Sequence, residues 1–150
     1  WEARQRKQGW EDALKSSGRP VMEHSWVEGN WSSASAEAAF QQLLQSYPEM
    51  DAVFVANDQM ALSVLKVARG HALRIPQDLA VVGFDNLAES AYYQPALSTV
   101  NQNLHELGCQ AVQVLTQLIE SFQKGEESPE PHSTLLPPEL IVRESSILPS

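Results

Sequence analysis

Basic residues are scarce in this chain of 150: 10 Lys and Arg stand against 19 Asp and Glu, a formal charge of −9. A surface that tracks phosphates needs the opposite balance, so direct nucleic-acid binding by these residues is not expected. Cysteine is scarcer still. Cys109 alone cannot close an internal disulfide, and its place in an apolar helical repeat suits a small packed residue in a reducing compartment. Long apolar runs are missing too. No stretch could cross a bilayer, and the opening WEARQRKQGW has nothing of a secretory leader, which points to the cytoplasm and away from a membrane partner. The glycines form neither a G-x-G-x-x-G nor a P-loop pattern, and there is no G-x-S-x-G elbow or H-E-x-x-H. His24, His71, His105 and His132 are scattered without metal-ligand spacing, so no catalytic residue, metal or cofactor is expected.

What is present is a core: 43% of the residues are hydrophobic, enough for one ordinary domain or part of a larger one. Ala3, Arg6, Trp10, Ala13 and Leu14 recur at helical spacing until Gly18 and Pro20 stop the helix. VMEHSWV then reads as a strand, EGNW as a loop, and Ala36, Ala39, Phe40, Leu43, Leu44 and Tyr47 as one helix face closed by Pro48. DAVFVA and DLAVVGFD are short, nearly continuous apolar runs separated by helical pattern, which predicts parallel strands covered on both faces. The intervening helix, from about Asp58 to Gly70, has two apolar sides, Ala61/Leu65/Ala68 and Met60/Val64/Val67; one can face the sheet and leave the other for a partner. After LSTVNQN the longest helix carries Leu104, Leu107, Ala111, Val114, Leu115, Leu118 and Phe122 in register, with Asn103 and Glu106 as a capping pair. KGEESPEPHS reads as an exposed linker, and TLLPPELIVRESS as one or two extended segments before a frayed end. The alternation predicts an α/β fold with an open, mostly parallel sheet. The chain opens directly in a helix, so the sequence is expected to begin inside a larger fold.

Ligands of open α/β sheets bind beyond the carboxyl ends of the strands, where the loops into the helices converge. That rule gathers Trp31, the NDQ of residues 57 to 59 and the FDN of residues 84 to 86 onto one rim, and Arg6 joins them if its helix also follows a strand. An indole, a carboxamide, a carboxylate and a guanidinium can face the C–H surface of a sugar or the plane of a heterocycle while bonding its polar groups. Each also has a plainer role. Asp58, or less readily Asn57, can cap the helix that follows, and Asp85 can cap the LAESAYY turn. Trp31 suits a core aromatic or a loop cover, and Arg6 a stem that snorkels to solvent. Asp58 and Asp85 facing one another would be an acid/base pair, the arrangement of a sugar-modifying enzyme.

VANDQMALSVLKVARGHALRIPQDLAVVGFDN, then LSTVNQNLHELGCQAV, then LLPPELIVRESS, resembles the C-terminal half of the effector-binding core of LacI/GalR-type transcriptional repressors. ARQRKQGWEDAL and EGNWSSAS look like the same family's preceding segments. The resemblance implies a periplasmic-binding-protein-like fold with helices on both faces of the sheet, here incomplete. Residues 1 to 98 would be the C-terminal effector-binding subdomain without its leading strand. Residues 99 to 131 would be a crossover and a helix of the other subdomain, parted in this chain from its partner sheet, and 132 to 150 return strands and tail. Effector contacts would fall on Arg6, Trp31, Asn57, Asp85 and Gln102. A homodimer interface would use Met60, Leu62, Leu65, Tyr92, Tyr93 and Pro95. The implied partner is a small-molecule effector, a sugar ahead of a nucleobase, and DNA is reached only through a headpiece with no counterpart in this chain. A solute-binding protein of a transporter shares the fold and is the alternative.

Overall fold

The computed structural model describes residues 2–125 and 133–147. Two compact units divide the chain: Trp1–Val100 with Leu140–Ser150, and Asn101–Glu139. In the first, helix α1 (Glu2–Ser16) and helix α2 (Ser33–Ser46) precede strand β1 (Ala52–Phe54), helix α3 (Asp58–Gly70), strand β2 (Ala80–Phe84) and strand β3 (Ser98–Asn101). β1 pairs in parallel with β2, and β2 with β3, Val53 standing opposite Val81 and Gly83 opposite Thr99. β4 (Glu139–Ile141) completes the order β1-β2-β3-β4. Parallel neighbours joined through a helix are what the two apolar runs predict.

The two sides of β2 differ. Val81 and Gly83 are buried and Ala80, Val82 and Phe84 are only partly covered, so the strand alternates where a fully sandwiched one would not. Gly83 faces α3, because a Cβ there would overlap Asp58 Oδ1 and lie 2.9 Å from Leu97 Cδ2. Phe84 faces the other way, meets Phe54 edge-on and lies beneath the Arg6 guanidinium of α1.

The second apolar side of α3 corrects an expectation. Met60, Val64 and Val67 are as buried as Ala61, Leu65 and Ala68, because α2 packs on α3 with Ala36, Phe40 and Leu43. Neither of these two sides of α3 is left open for a partner. A helix sandwiched between a sheet and a second helix needs two apolar sides, and the sequence pattern does not say which body covers each.

VMEHSWV is not a strand. Residues Glu23–Ser25 form a single 3-10 turn, with the Ser25 amide and hydroxyl both donating to Met22 O. The segment bonds to itself and to the end of α2, where Ser46 Oγ donates to His24 O and the His24 ring meets Tyr47 edge-on. Val27 packs against the core, while Trp26 stays exposed beneath the Lys7 ammonium of α1.

At the other end of the first unit the chain is firmly held. Ser145 is fully buried; its hydroxyl donates to Val81 O at 2.6 Å and accepts from the Ser98 amide at 2.8 Å. Its carbonyl accepts from the Val81 amide.

The second unit is dominated by α4 (Leu104–Lys124), whose N-cap Asn103 accepts from the Glu106 amide, the expected capping pair. No residue of α4 is buried; Leu104, Leu115 and Phe122 are all exposed. The linker read in KGEESPEPHS falls, over residues 126–132, outside the described residues.

Candidate functional site

Arg6, Trp31, Asn57 and Asp85 meet at the carboxyl ends of β1 and β2. α1 carries Arg6 there at its second turn, with its side chain only 13% exposed. One terminal nitrogen donates to Ala56 O, and the other stands 3.8 Å from Asp85 Oδ1. The guanidinium plane lies over Phe84, 3.8 Å from the ring centroid, and 5.4 Å from that of Trp31. Stacked and hydrogen-bonded in this way, Arg6 is held in one rotamer; it is not a snorkelling stem.

Trp31 lies at the rim and 42% of its surface is exposed, so it is not a core residue. Beneath its loop, Met60 comes so close that a Cβ on Gly29 would be 2.5 Å from Met60 Cε. That atom is the tip of a flexible side chain, so a larger residue at position 29 would make Met60 shift. Met60 supports the Trp31 loop, and with Leu65 it is buried in the chain's own core, so neither offers surface to a second copy. Leu62 and Tyr92 are exposed, and Tyr93 and Pro95 are half-buried. Burial first, then the negative charges of Asp58 and Glu89, raise the Tyr93 pKa, so its phenol stays protonated.

The NDQ junction reverses the expected division of labour. Asn57, not Asp58, is the cap of α3: its Oδ1 accepts from the Met60 amide at 2.7 Å. Its Nδ2 donates to Trp31 O at 3.3 Å, tying the indole loop to the helix. Asp58 is fully buried, accepting from Thr99 Oγ1 at 2.6 Å and from the Leu87 amide at 2.8 Å. The neighbouring Asn86 amide donates to Thr99 Oγ1 in turn. Asp58 therefore works inside the protein, joining α3, β3 and the loop after β2, and forms no solvent-facing acid/base pair with Asp85. Asn57→Ala is expected to cost about 1 kcal/mol through the lost cap and to loosen the Trp31 loop. Chemical denaturation measures the first effect and Trp fluorescence the second.

Asp85 does not cap the turn that follows. Ala88–Tyr92 is a 3-10 segment preceded by Leu87, with no side-chain cap. Instead Asp85 and Asn86 both have positive φ, 107° and 53°, as does Trp31 at 70°. Asparagine tolerates that region; an aspartate or a tryptophan there is strained by roughly 1–3 kcal/mol. These three residues at one rim are held in place by bonds to their neighbours.

Gln102 belongs to the second unit, as do Asn101 and Asn103. Missed by sequence reasoning was Arg143. Its guanidinium donates to Ser90 Oγ, Leu97 O and Asn86 Oδ1 at 3.1, 2.7 and 2.8 Å. An arginine in a C-terminal VRESS carries no periodic signal, and its role is visible only once the chain has folded back. No group of residues suited to a metal ion occurs among the described residues, and no helix there is long and apolar enough to cross a membrane.

Residues 1–146 match the periplasmic binding protein-like domain. The HTH-type transcriptional regulator CelR of Thermobifida fusca is 35% identical over 94% of the chain, and the HTH-type transcriptional repressor PurR of Photorhabdus laumondii 32% over 95%. The chain spans 40% of the length of each. A solved transcriptional regulator CelR–cellobiose complex, 33% identical, superposes with a TM-score of 0.83 over 94% of this chain and 42% of that one. The Lac repressor dimer bound to operator and the anti-inducer ONPF, 31% identical, gives 0.85 over 98% and 49%. Parallel strands β1 to β3 carrying a rim of strained residues around a stacked arginine thus sit in a chain that belongs to the periplasmic binding protein-like domain family.

Proposed function

We propose that the protein is the effector-sensing part of a dimeric transcriptional repressor and binds a small neutral ligand, a sugar ahead of a nucleobase, at the rim formed by Arg6, Trp31, Asn57 and Asp85. The observation that carries this reading is the Arg6–Asp85 pair, 3.8 Å apart and beside an exposed indole. At that separation the two groups are not joined by a direct hydrogen bond. A hydroxyl between them can accept from the guanidinium and donate to the carboxylate, both charge-assisted, while Trp31 covers the apolar C–H face of the ring that bears it. Sugars offer this combination at every hydroxyl. The CelR–cellobiose complex among the similar structures supports a sugar; PurR among the similar sequences keeps nucleobases in the test.

The proposed dimer surface is Leu62, Tyr92, Tyr93 and Pro95. No bond is made or broken in the proposed mechanism. The effector binds one closure state of the core better than another and biases the dimer, and a separate headpiece reads that bias out on DNA in the cytoplasm. A thermal-shift screen against neutral mono- and disaccharides, cellobiose included, and nucleobases tests the reading. Saturable stabilisation by a sugar is the expected result. A protein that melts cooperatively and shifts with none of them does not sense this class of ligand.

A further inference from the structure

We infer that Arg143, from the C-terminal segment, positions the ligand-binding carboxylate of Asp85; the inference rests on the sensor reading for its functional consequence and on geometry for the rest. Asp85 and Asn86 are consecutive non-glycine residues with positive φ, so this short stretch needs outside bonds to hold its shape. Three such bonds converge on it. The Asp85 amide donates to Val100 O, the Asn86 amide to Thr99 Oγ1, and Arg143 donates to Asn86 Oδ1. The first two anchor the backbone to β3. The third holds the Asn86 side chain, and it comes from more than fifty residues further along the chain.

Arg143 is itself rigidly placed. Ser98 Oγ accepts from its amide at 2.7 Å and donates to its carbonyl at 3.0 Å. One terminal nitrogen spans Ser90 Oγ and Leu97 O, both on residues that are fully buried, which leaves the other aimed at Asn86. All the acceptors are neutral, so the planar fork matters more than the charge. A lysine ammonium, a single point donor, cannot meet the same set of acceptors. The carboxylate that faces Arg6 is thus oriented in part by the C-terminal segment of the first unit.

Two variants of the full chain test this. In Asn86→Gly the glycine takes the left-handed conformation freely, so only the bond to Arg143 is lost; Arg143→Lys keeps the charge and loses the fork. Crystal structures of both should have Arg6 and Asp85 displaced from their 3.8 Å separation, and calorimetric titration with cellobiose should give roughly tenfold weaker binding. In an Asp85→Ala background neither substitution should weaken binding further, the coupling expected of a group that acts through Asp85. An unchanged Arg6–Asp85 geometry in both variants overturns the inference, as do losses that add to that of Asp85→Ala. Should wild-type protein fail to bind cellobiose, the sugar reading suffers while the crystal structures still decide whether Arg143 positions Asp85.

Discussion

Asp58→Ala should destabilise the first unit by about 3 kcal/mol, measured by chemical denaturation, with a fall in Tm of roughly 10 °C. The carboxylate is fully buried, and removing it leaves the Leu87 amide and the Thr99 hydroxyl without their charged acceptor. Each such bond is worth about 1.5–3 kcal/mol, and an orphaned buried donor adds its desolvation. Thr99 Oγ1 also accepts from the Asn86 amide, so the loss runs along a chain of three groups that polarise one another. Asp58→Asn should cost less. Its carbonyl can still accept from Leu87, and its amide can donate to Thr99, whose own proton is then left without an acceptor. A loss of under about 1 kcal/mol for the alanine variant would mean that the carboxylate is not a structural tie.

Asp85→Ala, by contrast, should leave stability nearly untouched and weaken the sugar identified by the screen about 100-fold. The Asp85 side chain remains partly exposed beside Arg6, and its strained backbone is held by the Asp85 amide donating to Val100 O, a bond that alanine keeps. In the proposed complex its carboxylate accepts from a ligand hydroxyl, and alanine leaves that hydroxyl without its charged acceptor in a partly desolvated rim. Calorimetric titration of both proteins with the same sugar reads the effect. Equal affinities would remove Asp85 from the binding site, and a large loss of stability would make it a structural residue instead. The paired outcome separates two aspartates that look alike in the sequence, one following an apolar strand and one opening a helix.

Between Asn57 and Asp58 the sequence leaves the roles ambiguous, since both residue types cap helices and both bind ligands. Backbone register decides: Asn57 has extended backbone at the N-cap, and Asp58 one residue later is turned beneath β2 towards Thr99. Gly83 admits it, since any Cβ there would collide with the carboxylate. The same holds for α3, whose two apolar stripes were legible while the identity of what covers them was not. VMEHSWV fails as a strand for a related reason. Its apolar residues sit in two pairs that flank Glu23, His24 and Ser25, and those three form a 3-10 turn whose His24 ring meets Tyr47 at the end of α2.

By itself the sequence determined the parallel β/α alternation, the helix limits at Pro48 and Asn103, and the convergence of Trp31, Asn57 and Asp85 on one rim, with Arg6 joining them only on condition that its helix follows a strand. These follow from local rules: hydrophobic period, capping chemistry and the fixed relation between strand ends and loops. Tertiary structure alone decided that Asp58 is a buried tie, that α2 occupies the second face of α3, and that Arg143 returns to grip Asn86. Those are contacts between residues dozens of positions apart, and their strength comes from burial and mutual geometry that no local pattern encodes.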